Sequence, residues 1–284
     1  MSELVTITET ARDAWQGLSH TIPTADKLRF LQRLLDAGFQ SLDIGSFVSR
    51  KRVPSMADTS ALPGALSVPA GATLTALVAT PHGLEQLLEV QGIGEVLYPF
   101  SLSESFQQRN TNRSREQAAT ELAELTERAH EAGRTLYATI SMAFGNNEGE
   151  PFELSELSDW VARLEQMGVD RVGLADTTAQ GTPDLVHEVF LAVGKGRPVP
   201  AAHLHVTADN QTAMVDAALN AGCRSFDAAL GGLGGCQFAK GAESNVSTRA
   251  LVRQLIDRGY AVPLSAEAVG ALDDLDAAAQ ALAG

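Results

Sequence analysis

Short apolar, β-branched runs alternate along this chain with longer stretches in which apolar residues recur every three to four positions. The first pattern predicts strands at 4–10, 41–48, 73–79, 95–101, 135–142, 171–176, 201–206 and 225–230. The second predicts helices at 24–37, 82–91, 114–132, 153–167, 183–193, 210–221 and 247–258, with an Ala-rich helix at 265–282. Gly38 and Gly133 stand just past helical patterns, where C-caps stand. Thr24 and Ser114 open helical patterns and read as N-caps. After the second strand Pro54, Pro63 and Pro69 leave the weakest helical pattern of the chain. Strands alternating with helices mean parallel β-α units. Eight of them predict an α/β fold, a TIM (β/α)8 barrel with an extra C-terminal helix. No linker composition and no further repeat divides residues 1–284, which read as one barrel domain.

A chain of 284 residues suits one such barrel and can bury a sizeable core. The net charge of −14 argues against a nucleic-acid or anionic-membrane partner, but leaves room for a phosphorylated ligand at a local basic cluster. Two cysteines, Cys223 and Cys236, make no disulfide framework and suggest a reducing compartment. No apolar run is long enough to span a bilayer, and Met1-Ser2-Glu3-Leu4 lacks the basic and apolar regions of a secretory signal. The expectation is a cytoplasmic protein.

In such a barrel chemistry belongs at the C-terminal ends of the strands. The polar residues that stand out fall there: Arg12-Asp13 after the first strand, Asp43 in the second, Asp176 ending the sixth, His203 and His205 in the seventh, and Asn245 after the eighth. His203 and His205, two apart in a strand, point to one face with backbones roughly 6–7 Å apart. A hydrogen-bonded buried pair is the plain alternative, and the carboxylates on neighbouring strand ends weigh against it. Two imidazoles, the Asp13 carboxylate and the Asn245 amide oxygen suit Mg²⁺ or Mn²⁺; zinc fits less well. Arg12 offers a charge-assisted bond to developing negative oxygen. Asp43 and Asp176 interrupt apolar strands, and a buried carboxylate needs a partner or a function; pairing with Arg12 or backbone is the structural alternative. The loop Gly231-Gly232-Leu233-Gly234-Gly235-Cys236 can bend and expose its thiol, whereas Cys223 reads as a core thiol. His20, His82, His130 and His187 read as surface or packing residues. The run Arg50-Lys51-Arg52, with Arg109 and Arg113, could attract the phosphates of a nucleotide-bearing substrate, although such residues are more often solvated surface.

Taken in order, the motifs resemble the hydroxymethylglutaryl-CoA lyase family. They are Arg-Asp-x-x-Gln at 12–16, Ser-Phe-Val-Ser-x-Lys at 46–51, Val53-Pro54-x-Met56, Ser103-Glu104 and Asn110-x-Asn112. Asp176-Thr177, Gly181-Thr182-Pro183, His203-x-His205 and Gly232-Leu233-Gly234-Gly235-Cys236 complete the set. The resemblance implies a metal-dependent barrel that cleaves a 3-hydroxy-3-methylglutaryl-CoA-type thioester by a retro-Claisen reaction to acetyl-CoA and acetoacetate. It implies Asp13, His203, His205 and Asn245 as ligands of Mg²⁺ or Mn²⁺. Arg12 would stabilise the enolate, Cys236 would move a proton, and Asp176 and Asp43 would complete the catalytic set. Gln16, Lys51, Arg52 and Ser103 would hold the acyl-CoA. A homodimer and a place in leucine breakdown are suggested by the same resemblance. The chain departs from the family's pattern at Asp43, usually Glu, and at Val206-Thr207-Ala208-Asp209, usually Asp-Thr-Tyr-Gly. It departs again at Gln237-Phe238, usually Pro-Tyr, and at Trp15, where a smaller aliphatic is common. Two alternatives stay open at this point. One is a Claisen-type synthase or aldolase of the same metal-barrel superfamily, and the other is a barrel that binds metal and acyl-CoA without turnover.

Overall fold

A computed structural model describes residues 2–235 and 244–284. The chain begins β1 (Thr6–Glu9), α1 (Ala11–Gln16), α2 (Thr24–Asp36), β2 (Ser41–Ser46), and then makes three 3-10 turns, Pro54–Met56, Thr59–Ala61 and Pro63–Ala65. It continues β3 (Thr73–Leu77), α3 (Pro81–Leu88), β4 (Glu95–Ser101), α4 (Glu104–Thr111), α5 (Arg115–Glu131), β5 (Thr135–Ser141), α6 (Leu154–Gln166), β6 (Arg171–Ala175), α7 (Pro183–Val193) and β7 (Ala201–His203). Last come β8 (His205–Val206), α8 (Gln211–Asn220), β9 (Ser225–Ala228), β10 (Ser244–Asn245), α9 (Thr248–Asp257), α10 (Ala266–Gly270) and α11 (Leu272–Ala283). Strands β1 to β7 and β9 pair in chain order, and β9 closes on β1. This is the predicted eight-stranded parallel barrel ringed by helices.

Period-two alternation decides what each strand buries. Leu42 and Ile44 on β2, Leu74 and Ala76 on β3, and Val96, Tyr98 and Phe100 on β4 are almost wholly buried and belong to the main apolar core. Their neighbours Asp43, Thr75, Leu77, Leu97 and Pro99 face the barrel axis, where they line a cavity. Burying one large aliphatic or aromatic side chain is worth about 1.5–3 kcal/mol. The outward faces of the strands therefore carry the stability and leave the inward faces to chemistry.

Several expectations shift by local physics. Ser114 caps α5 in a reciprocal box with Gln117, but Thr24 is the first helical residue, not the cap. Pro23 precedes it, and the Thr24 hydroxyl donates to Asp58 at 2.8 Å and accepts from no N–H of its own helix. The proline stretch makes 3-10 turns in place of a crossover helix. Two short helices, α1 and α4, are too brief to show a period and were not foreseen. The predicted seventh strand breaks at Leu204, where the chain leaves the barrel and β8 pairs antiparallel with β10, setting His205 opposite Asn245. The C-terminal helix breaks at Ala271 into α10 and α11. Gly38 and Gly133 take positive φ at their helix ends, as expected of C-caps.

Glu9 ties the two ends of the barrel together. It is buried at the end of β1, where it accepts from the Leu230 backbone N–H at 2.8 Å and from the Thr248 hydroxyl at 2.6 Å. Burial pushes its carboxyl up to about 8 against the ordinary 4.5, although both hydrogen bonds oppose that shift. A raised carboxyl pKa means the fold binds a proton that the unfolded chain releases. The stabilisation is full below 4.5 and is lost as pH rises through about 8. Glu9→Gln keeps the shape and the acceptor without the charge. The variant should melt level with wild type near pH 4.5 and several degrees above it near pH 8. Thermal melts across that range check this, and parallel curves for the two proteins would show that Glu9 is not the titrating group.

Candidate active site at the C-terminal mouth of the barrel

The short helix α1 carries Arg12, Asp13 and Gln16 directly off the end of β1. Arg12 and Gln16 are four apart and share a face of that helix. All three line a cavity of about 630 Å³ that opens at the C-terminal ends of the strands, and Asp43, His203 and His205 line it too. A volume in this range suits a small-molecule ligand.

Two salt bridges fix the upper wall. Arg12 donates from Nε at 2.9 Å and Nη2 at 2.7 Å to Asp43 Oδ2, and from Nη1 at 2.9 Å to Asp13 Oδ1. Burial opposes the Arg12 charge, but Asp43 and Asp13 outweigh it and hold the guanidinium firmly protonated. For Asp43 the balance goes the other way. Burial raises its carboxyl to about 6 despite Arg12. Asp13 faces burial as well, yet Arg12, His203 and the Asn245 amide hold it well below the usual carboxylate range.

Asp13, His203 and His205 bring ligand atoms within 4.8 Å of one another, a group that could hold a metal ion. Each imidazole is oriented from behind. His203 Nδ1 lies 3.3 Å from Asp227 Oδ2, and His205 Nδ1 lies 3.3 Å from the Thr177 carbonyl. Both partners can only accept, so both Nδ1 atoms donate and both Nε2 atoms are left for a ligand. Burial and the neighbouring His203 push His205 down to about 4, which keeps it the neutral imidazole a metal requires. Burial also works against a charged His203, but Asp227 and Asp13 raise its pKa above the ordinary value. The His205 Nε2 atom is buried without a hydrogen-bond partner, as are Gln16 Oε1, Asp43 Oδ1 and Asp227 Oδ1. Each orphaned group costs about 1–3 kcal/mol. Four on residues of one cavity mark a site built to be filled. The donor set and the orphaned His205 nitrogen fit a divalent cation.

Asn245 arrives by the β8–β10 pairing. Its amide nitrogen donates to Asp13 Oδ2 at 2.8 Å and to the Leu233 carbonyl at 2.9 Å. Two acceptors on one side settle which amide atom faces Asp13. In this arrangement Asn245 steadies the carboxylate. Gly234, at φ +96°, lies so close that a Cβ there would overlap the Asn245 amide and approach Asp13 Oδ2 to 3.1 Å.

Other candidates fall elsewhere. Asp176 is fully buried and absent from the cavity wall. On β6 the inward residues are Arg171, Gly173 and Ala175, so Asp176 has the opposite parity. Its oxygens accept from the Gln180 and Gly181 backbone N–H groups at 2.9 and 3.0 Å, fixing the loop after β6. Ser103 caps α4 by accepting from the Phe106 N–H at 3.1 Å, and it too lies off the wall. Arg50 and Arg52 reach the cavity rim, whereas Lys51 does not line it. Arg109 and Arg113 form ion pairs with Glu148 and Glu121. His82, read as surface, stands on the rim. Cys236 lies outside the described residues. Sequence reasoning missed Asp227, although an Asp inside a predicted strand is the same signal that drew attention to Asp43.

Residues 4–275 match the HMGL-like family model. The chain belongs to the HMGL-like family. A Pseudomonas aeruginosa relative, 3-hydroxy-3-isohexenylglutaryl-CoA/hydroxy-methylglutaryl-CoA lyase, is 35% identical over 243 residues, 84% of this chain and 79% of its own. The HMG-CoA lyase of Brucella melitensis superposes with a TM-score of 0.90 at 30% identity, covering 99% of each chain. An Acinetobacter baumannii HMG-CoA lyase, solved with coenzyme A and 3-methylmalate, gives 0.91 at 27% identity over 99% of this chain and 92% of its own. These HMGL-like neighbours agree with the barrel described above.

His205→Ala should weaken Mn²⁺ binding at least about tenfold, on the scale seen when a ligand sphere is disturbed. Titration of the purified variant against wild type measures it, and an unchanged titration would remove His205 from the ligand set.

Proposed function

We propose that this protein is a carbon-carbon lyase that cleaves 3-hydroxy-3-methylglutaryl-CoA or a close homologue to acetyl-CoA and acetoacetate. The observation that carries the reading is the convergence, on one cavity wall, of three side chains that could hold a metal ion and a buried, charged guanidinium. Family membership supports it.

The reaction needs three things. The 3-hydroxyl must lose its proton, the bond from the carbinol carbon to the carbon beside the thioester must break, and the enolate released must take up a proton. Asp13, His203 and His205 would hold Mg²⁺ or Mn²⁺, and the ion would supply Lewis acidity toward substrate oxygens. The remaining work falls to the chain. Asp43 Oδ1 is buried, unpartnered and poised near 6, and it is the acceptor the wall offers for the hydroxyl proton. As the carbon-carbon bond breaks, its electron pair passes to the thioester enolate. The Arg12 guanidinium, already desolvated, offsets that charge without reorganising. Cys236, by resemblance, returns a proton to the enolate carbon and yields acetyl-CoA. The other fragment leaves as the ketone, acetoacetate. Asn245 holds Asp13 in place, and Asp176 supports the reaction through the loop it fixes. Gln16 Oε1 and the rim residues Arg50 and Arg52 complete the acyl-CoA site.

Acetyl-CoA release from 3-hydroxy-3-methylglutaryl-CoA should require Mg²⁺ or Mn²⁺ and stop with chelator. Arg12→Gln should lower kcat by about 10²-fold or more. No release with either metal would overturn the lyase reading, and full activity of the Arg12 variant would overturn that residue's role.

A further inference from the structure

We propose that the lower half of this cavity binds an apolar substituent longer than methyl on the carbinol carbon of the acyl group, with Leu77 and Leu97 setting how long that substituent can be. The inference rests on the lyase reading and deepens it.

Strand parity gives the depth. Tyr137, Thr139 and Ser141 are successive inward positions on β5 and span about 13 Å of strand. All three line the cavity. Ser141 pairs with Ala175, and Ala175 pairs with His203, so the upper end of this run lies at the histidine ligands. Two further inward positions, Thr139 and Tyr137, continue below it. Alongside them Leu77 pairs with Leu97, and Leu97 pairs with Tyr137. Both leucines line the same cavity.

The interior of such a barrel is normally filled by layers of bulky side chains. Here β6 presents Gly173 and Ala175 instead. A Cβ on Gly173 would overlap the Tyr137 hydroxyl. The missing side chain lets Tyr137 reach across to Asp227, to which it donates at 2.7 Å, and lie across the floor. Below it Arg171 pairs with Glu95 at 2.7 Å, and its guanidinium sits 3.5 Å over the Tyr137 ring. Arg171 and Glu95 do not line the cavity, so this layer seals it.

Several polar groups of the floor are engaged with one another. The Thr75 hydroxyl donates to Glu95 at 2.9 Å, Arg171 donates to the Thr8 hydroxyl at 3.2 Å, and the Tyr137 hydroxyl donates to Asp227 Oδ2 at 2.7 Å. What Leu77, Leu97 and Pro99 then offer a ligand is carbon. A charged or hydroxylated extension would find few partners there. Each buried methylene would strengthen binding by about fourfold.

The test compares 3-hydroxy-3-methylglutaryl-CoA with its 3-pentyl homologue on wild type and on Leu97→Phe. Wild type should cleave the pentyl substrate with kcat/KM within about tenfold of the methyl one. The variant should lose at least about tenfold on the pentyl substrate and less than about threefold on the methyl one. Wild-type discrimination against pentyl beyond a hundredfold, or equal losses on both substrates, would overturn the proposal. Binding of 3-methyl- and 3-pentylglutaryl-CoA, which lack the 3-hydroxyl and cannot be cleaved, separates this proposal from the reaction itself. Pentyl binding tighter than methyl in wild type, with the preference lost in the variant, sustains the apolar bore even if no substrate turns over. Equal or weaker pentyl binding removes it.

Discussion

The buried guanidinium of Arg12 lies between two carboxylates, and much of the site follows from how unequally it serves them. It gives two hydrogen bonds to Asp43 and one to Asp13. One positive charge cannot neutralise two negative ones at that depth, where removing a partner from a buried pair is costly. The second hydrogen bond to Asp43 sets the Arg12 fork in one plane. Asp13 is left with a charge only partly met, by one Arg12 hydrogen and by the Asn245 amide. A carboxylate kept ionised, two imidazoles facing it and an unpartnered imidazole nitrogen form a place where a cation lowers the energy of every group.

The same mouth of the barrel is braced from the far end of the chain. Glu9 takes the Leu230 N–H and Asp276 on α11 takes the Gly231 N–H at 2.7 Å, so two buried carboxylates hold the start of the glycine-rich loop. Two residues on, the Leu233 carbonyl accepts from Asn245, which in turn donates to Asp13. The extra C-terminal helix is thus connected to the candidate metal group through the loop base. Its place in the fold is more than a cover for the barrel wall.

The barrel was legible because its signal is repeated eight times, and short strands between amphipathic helices leave few other arrangements. What the pattern could not give was anything shorter than its own period. α1 spans less than two helical turns, yet it puts Arg12, Asp13 and Gln16 on the cavity. Nor could it give the break at Leu204, because that break is decided by pairing with a segment some forty residues later, which no local window contains. The candidate ligands were found from residue type and strand ends. Asp176 and Ser103 share those types but point elsewhere, one by strand parity and the other because a helix start needs its hydroxyl. Asp227 was passed over for want of a motif, although its inward parity on β9 could have been counted.

The division of the cavity into a charged upper wall and a carbon-lined lower one has a physical consequence for Asp43. Its family position usually carries the longer Glu. With Asp at this position Arg12 is held against β2 at 2.7 Å, and neither partner can be left alone in the interior without a large cost. The guanidinium so held stands on the cavity wall that also carries Leu77 and Leu97. The close hold on Arg12 and the missing side chain at Gly173 act at different depths: one fixes charge at the mouth, and the other lets Tyr137 cross the floor to Asp227. Between them Leu77, Leu97 and Pro99 line the cavity, below the ligand group at its mouth.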